Sequence, residues 1–218
     1  MIKMFEIRYR INENFITLDE DGFMDDNILG FFEINVNGNC YGYYHIEPFR
    51  DSDCLWEYIS DWFVDLIRAH QELNNSGYVA ISDINSHNSW IEFKKIQDMV
   101  QISIIRVKTA LDDKMVILDK PLEEYQKGEQ PYQSASSNYE NISPESVILL
   151  HSDCEASPKL TPFEEFEYGE WHHQLVSLSE IRYELIKKAS LYLDELRKID
   201  TRLIGRNNTK LEALVSRL

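Results

Sequence analysis

Residue types that can form a catalytic couple crowd one short segment of the chain. Asp83, Ser86 and His87 all fall within residues 83–89. A histidine beside a serine or an aspartate can activate a nucleophile, which is the chemistry of many hydrolases. The same residue types are common turn formers. We expect a turn here, and a small hydrolase that uses the His87 loop is the alternative.

The other histidines carry less chemical signal. His70 falls on the apolar side of a predicted helix, which is typical of a core histidine. His172 and His173 are adjacent, and neighbours on a helix or strand point to different faces, so they are not expected to share a metal ion. No phosphate-binding loop, GxSxG or HExxH motif occurs in the sequence. We therefore predict no catalytic residues, no metal and no cofactor.

Carboxylates show a more regular pattern. Asp53, Glu57, Asp61 and Asp65 recur every four residues in residues 52–73, where the apolar spacing predicts one amphipathic helix. On that helix they would form an acidic ridge, although each like-charge pair costs about 0.2–0.5 kcal/mol. We predict that this ridge binds a partner. The rest of the predicted partner-binding surface is an acidic loop and two hairpin tyrosines: Asp19, Glu20, Asp21, Asp25, Asp26, Tyr41 and Tyr43.

Charge is distributed unevenly along the chain. Residues 1–170 hold 32 of the 38 acidic and 13 of the 22 basic side chains, a net charge of −19, whereas residues 171–218 carry +3. Such a field disfavours nucleic acid and anionic membranes and accelerates encounter with a basic protein. Acidity that serves solubility alone is the other interpretation.

Period-two patterns and turn residues predict the elements that would carry these side chains. Strands are expected at residues 3–10 and 14–18 and in three segments between residues 78 and 107. The clearest signal is the hairpin FFEINV-Asn37-Gly38-NCYGYY, since Asn-Gly favours a tight turn. Its alternation places Tyr41, Tyr43 and His45 on one face. The predicted fold is α+β, an antiparallel sheet packed on one central amphipathic helix, with a C-terminal helical segment.

Composition predicts three regions. Residues 1–118 form the α+β sheet domain, residues 119–146 a polar linker or mobile loop, and residues 147–218 a short strand followed by helices. The longest helix is expected from Leu178 to about Gly205, and its apolar stripe should pack on the sheet domain or form a homodimer. The charged N-terminus lacks the apolar stretch of a signal peptide, which predicts a cytoplasmic protein. Cys40, Cys54 and Cys154 follow no metal or disulfide spacing.

A small acidic protein with the segments FFEINVNGNCYGYY, LWEYISDWFVDLI and GYVAISDINSHNSWIEF resembles the immunity proteins of bacterial polymorphic and contact-dependent toxin systems. The resemblance covers residues 1–107 and concerns layout and acidity. It implies a binding partner, the cognate toxin domain, often a basic nuclease, and it supplies no shared catalytic residues. We therefore predict an inhibitor of a toxin, with an oligomeric scaffold as a further alternative.

Overall fold

The structure, a computed structural model, describes residues 4–16, 28–47, 57–82, 89–107, 116–118, 148–149 and 166–218. These residues form antiparallel sheets and helices, so the predicted α+β class is confirmed. The chain divides into two compact units. The first consists of Met1–Arg68 and Ser179–Leu218, and the second of Ala69–Leu178.

The first unit contains a four-stranded antiparallel sheet. Strand β1 (Phe5–Ile11) pairs with β2 (Leu29–Val36), and β2 also pairs with β3 (Asn39–Tyr43) and with the two-residue β4 (Glu57–Tyr58). A 3₁₀ turn at Glu13–Phe15 follows β1, where the sequence predicted a second strand at residues 14–18. The turn forms because the Asn12 side chain accepts a hydrogen bond from the Asn14 amide, a local bond that competes with strand pairing.

The hairpin between β2 and β3 has the predicted turn and register. Asn37 and Gly38 have φ angles of 55° and 89°, and Val36 lies opposite Asn39. The predicted common face of Tyr41, Tyr43 and His45 is wrong. Tyr41 packs against Trp62, whereas Tyr43 and His45 pack against Phe31, which belongs to the other face of β2. The strict alternation ends at Gly42, whose φ is 89°.

We expect Gly42→Ala to destabilise the first unit more than Gly38→Ala. Both glycines have positive φ, which costs an alanine about 1 kcal/mol. A Cβ at Gly42 would also lie 2.3 Å from the Phe32 carbonyl oxygen, whereas a Cβ at Gly38 would meet nothing within 4 Å. Urea unfolding of the two variants measures the difference, and equal losses of stability would contradict the close approach at Gly42.

Helix α1 runs from Ile59 to Ser76. The helix was predicted to begin near Ser52, but Glu57 and Tyr58, directly before Ile59, are not helical. Glu57 and Tyr58 pair with Gly30 and Leu29 instead, and the Ile59 amide donates to the Ile28 carbonyl. Main-chain bonding to β2 therefore delays the start of the helix.

Helix α2 spans Leu178–Ile199, close to its predicted extent, and a 3₁₀ turn (Thr201–Leu203) leads to α3 (Arg206–Val215). Its apolar stripe is buried: Ile181, Leu185, Ala189, Tyr192, Leu193 and Leu196. The Tyr192 ring contacts Tyr9 of β1 and Phe63 of α1. The stripe therefore packs on the N-terminal sheet, which is one of the two predicted arrangements.

The second unit contains a seven-stranded antiparallel sheet with the path β10-β7-β6-β5-β8-β9 and β11 paired to β7. Its strands are β5 (Tyr78–Ser82), β6 (Ser89–Ile96), β7 (Met99–Val107), β8 (Val116–Leu118), β9 (Ile148–Leu149), β10 (Phe166–Tyr168) and β11 (Gln174–Ser177). Strands β5, β6 and β7 match the predicted segments. The two units differ from the predicted division at residues 118 and 146, because α2 and α3 belong to the same unit as the N-terminal sheet. Residues 119–146, the predicted linker, lie outside the described part of the chain.

Candidate functional site

The structure describes five of the eleven predicted partner-binding residues. The other six lie outside the described residues: Asp19, Glu20, Asp21, Asp25, Asp26 and Asp53. His87, the centre of the alternative hydrolase site, lies outside them as well. The acidic loop and the alternative hydrolase site therefore both stay predictions.

The predicted ridge is not a solvent-facing helix face. Glu57 lies in β4, where its carboxylate accepts a hydrogen bond of 2.9 Å from the indole N–H of Trp62. Asp61 is half-buried in the first turn of α1. Asp65 is only 2% exposed, because residues 62–67 are all buried. The three described carboxylates therefore do not form one exposed surface. The prediction of an exposed acidic ridge, which was based on helical spacing, is wrong for these three residues.

Removing the Glu57 carboxylate should lower the free energy of unfolding. Trp62 is 3% exposed, so its N–H would lose an acceptor in a buried position, at a cost of about 1–3 kcal/mol. We expect this loss in Glu57→Ala and a smaller one in Glu57→Gln, whose amide oxygen can still accept. Thermal unfolding of both variants and of the unmodified protein tests the prediction. If both variants were as stable as the unmodified protein, the Trp62 hydrogen bond would contribute nothing to stability.

Tyr41 and Tyr43 differ in environment. Tyr41 is half-buried, and its ring centroid lies 6.3 Å from that of Trp62. Tyr43 is 41% exposed and lies edge-on to Phe31 at 5.3 Å. Of the two tyrosines, Tyr43 therefore has the more exposed ring.

The described histidines depart from expectation in one respect. His70 is buried, as predicted. The His172 and His173 rings lie 4.8 Å apart, and both contact Tyr168. The expectation that they point to different faces is wrong because His173 has a φ of 54°. Within the described residues, no group of three or more His, Cys, Asp or Glu side chains could hold a metal.

Geometry brings a different set of residues together, at the outer edge of β1. The Met4 carbonyl accepts from the Asn37 amide, and the Asn12 amide donates to the Leu29 carbonyl. Even-numbered residues of β1 therefore direct their main-chain groups toward β2. The main-chain groups of Phe5, Ile7, Tyr9 and Ile11 point away from the sheet.

Helix α2 satisfies the first half of this edge with side chains. The Glu180 carboxylate accepts from the Phe5 amide at 3.2 Å, and the Glu184 carboxylate accepts from the Ile7 amide at the same distance. The spacing fits because four helical residues rise about 6 Å and two strand residues span about 6.6 Å. Glutamates four apart on α2 thus match amides two apart on β1.

The match between α2 carboxylates and β1 amides does not continue beyond Glu184. Lys188 follows Glu184 by four residues, and an ammonium group cannot accept a hydrogen bond. Its Nζ instead lies 3.7 Å from Glu184. The Tyr9 and Ile11 amides have no acceptor within the described part of the chain. We call the outward main-chain groups of Tyr9 and Ile11 the open edge.

A cleft of about 520 Å³ lies along the open edge. Residues 9–14 form one side, and Glu195 and Ile199 near the end of α2 form the other. Ile199 is a partly exposed apolar side chain, while Glu13 and Glu195 are exposed carboxylates. We call this feature the edge cleft.

Charge in the edge cleft is negative on the side that faces α2. Burial raises the pKa of the Tyr9 hydroxyl well above its ordinary value, and the Glu195 carboxylate, to which the hydroxyl hydrogen-bonds, raises this pKa further. Tyr9 therefore stays neutral and adds no charge. Arg10 belongs to the opposite face of β1, where its guanidinium donates to the Glu47 carbonyl. Arg10 also lines the edge cleft, so the charged groups of the cleft are the two carboxylates of Glu13 and Glu195 and one guanidinium, which leaves a net negative charge.

The sequence prediction missed this cluster entirely. Its helical spacing of Glu180, Glu184 and Lys188 is visible in the sequence, but it resembles an ordinary solvent-facing helix pattern. Only the pairing of β1 with β2 shows which amides need acceptors.

Comparison of the chain with family models, curated proteins and solved structures gives no match.

Proposed function

We propose that this protein is a non-enzymatic immunity protein that binds and neutralises a basic toxin domain in the bacterial cytosol. The observation that carries the proposal is the charge distribution, with a net charge of −19 over residues 1–170. A field of this sign accelerates association with a basic protein and disfavours anionic partners. The layout resemblance described above supports the same class.

Exposed carboxylates on the first unit are consistent with such an interface. Glu13, Glu47 and Glu195 are exposed, and Tyr43 adds a partly exposed aromatic ring. Aromatic side chains beside charged groups are common in protein interfaces. The described helices include none that is long and apolar enough to cross a membrane.

Co-expression tests this proposal directly. An immunity gene should directly follow the gene of a large secreted toxin, so the probe is the C-terminal domain that the upstream gene encodes. We expect this domain to arrest growth and the present protein to restore it. Growth arrest that persists, with no binding between the two purified proteins, would refute the proposed function.

A further inference from the structure

We propose that the edge cleft binds an extended segment of a basic partner, which adds to β1 as a short strand beside Tyr9 and Ile11. The inference rests on the proposed function and names the part of the molecule that makes the contact. It starts from the incomplete cover of the β1 edge.

Exposed strand edges are normally paired, covered or blocked, because their main-chain groups can bind another strand. In this chain Glu180 and Glu184 cover the edge at Phe5 and Ile7. Beyond Glu184, α2 provides no acceptor for the β1 edge, because the next residue on that face is Lys188, whose ammonium group lies beside the Glu184 carboxylate. The open edge therefore presents two amides and two carbonyls to the edge cleft. Addition of a strand would satisfy all four groups.

The walls of the edge cleft specify the side chains of the added strand. An extended segment places alternate side chains on opposite faces. The apolar Ile199 and the Tyr9 ring favour an apolar side chain on one face. Glu195 and Glu13 favour lysine or arginine, since opposite charges attract more strongly in a partly enclosed site. The preferred segment is thus one in which basic and apolar residues alternate.

Length is limited at both ends. The 3₁₀ turn at Glu13–Phe15 ends β1, and the Glu184 carboxylate occupies the edge at Ile7. Between these limits the open edge spans about 7 Å, which corresponds to two or three residues of a strand. The contact is therefore short and would be one part of a larger interface with the partner.

The test uses the full chain, labelled with ¹⁵N, and a capped heptapeptide of alternating lysine and valine as the probe. We expect the amide signals of Tyr9 and Ile11 to move on titration to millimolar peptide. A heptapeptide of alternating glutamate and valine should leave them in place. Signals that do not move with the lysine peptide, or that move equally with both peptides, would overturn the inference. Movement with protein concentration alone would also overturn it, since the occupant would then be a second copy of this chain.

Variants separate the main-chain contribution from the charge. Ile11→Pro removes one outward amide without removing a bond to β2, so it should abolish the shift of the Tyr9 signal. Glu195→Lys should weaken binding about five-fold or more at low salt. Asp194→Lys changes the net charge equally, but Asp194 pairs with Arg197 and does not line the edge cleft, so it should have a smaller effect. Equal weakening by the two lysine variants would contradict a specific contact at Glu195.

The growth assay distinguishes failure of this inference from failure of the proposed function. If the unmodified protein protects cells from the upstream toxin domain and both Ile11→Pro and Glu195→Lys protect equally well, the edge cleft is not the contact site, although the function stands. If the unmodified protein gives no protection, the proposed function itself fails. We expect protection by the unmodified protein and weaker protection by the two variants.

Discussion

Replacing Phe63 by alanine is expected to lower the free energy of unfolding by about 3–5 kcal/mol, because a fully buried aromatic ring would leave a cavity. Phe63 is completely buried in α1. Its ring lies 5.6 Å from Tyr9 of β1, 5.3 Å from Phe32 of β2 and 5.5 Å from Tyr192 of α2. One substitution would therefore weaken the packing of four elements of the first unit. Urea unfolding followed by circular dichroism measures the loss.

Two control variants show whether this loss comes from the core. Phe63→Leu keeps most of the apolar volume and should lose much less stability. Tyr43→Ala removes a ring that is 41% exposed, so it should also lose less. A change below about 1 kcal/mol in Phe63→Ala would contradict the packing described for α1, since core truncations of this size cost more.

Replacing Glu184 by alanine is expected to cost about 1–3 kcal/mol, because the Ile7 amide would be left in a buried position without its acceptor. Glu184 is 6% exposed, and its carboxylate also lies 3.5 Å from Lys187 and 3.7 Å from Lys188. Both lysines are partly exposed, so water can solvate them in the variant. The loss should therefore come mainly from the strand edge.

Glu184→Gln is the matched control, because its amide oxygen can still accept from Ile7 while the charge is lost. It should fall between the unmodified protein and Glu184→Ala in urea unfolding. Glu180→Ala, which removes the partly buried bond to Phe5, should cost less than Glu184→Ala. If Glu184→Ala were as stable as the unmodified protein, α2 would not depend on carboxylates to cover β1.

Local patterns predicted much of the fold. The Asn37–Gly38 turn, the register of Val36 with Asn39, and strands β6 and β7 follow from turn chemistry and period-two alternation. The start of α2 at Leu178 follows from its apolar spacing. Each of these features depends on residues close together in the sequence.

Long-range contacts decided the features that sequence patterns could not predict. Glu57 fits a helical spacing, but main-chain bonds to β2 place it in β4. Asp65 occupies a position expected to be polar, yet it is buried with its neighbours. Glu180 and Glu184 act on amides 175 and 177 residues away in the chain. No window of local sequence contains both members of such a pair.

Hydrogen exchange of the β1 amides tests most directly whether α2 covers only half of the strand edge. Arg8 and Arg10 point their amides toward β2, and the Ile7 amide bonds to Glu184, so these three should exchange slowly. The Tyr9 and Ile11 amides should exchange rapidly in the isolated protein and, under the proposed function, become protected when a toxin domain is added. Slow exchange of Tyr9 and Ile11 in the isolated protein would contradict the open edge, and with it the proposed place of contact.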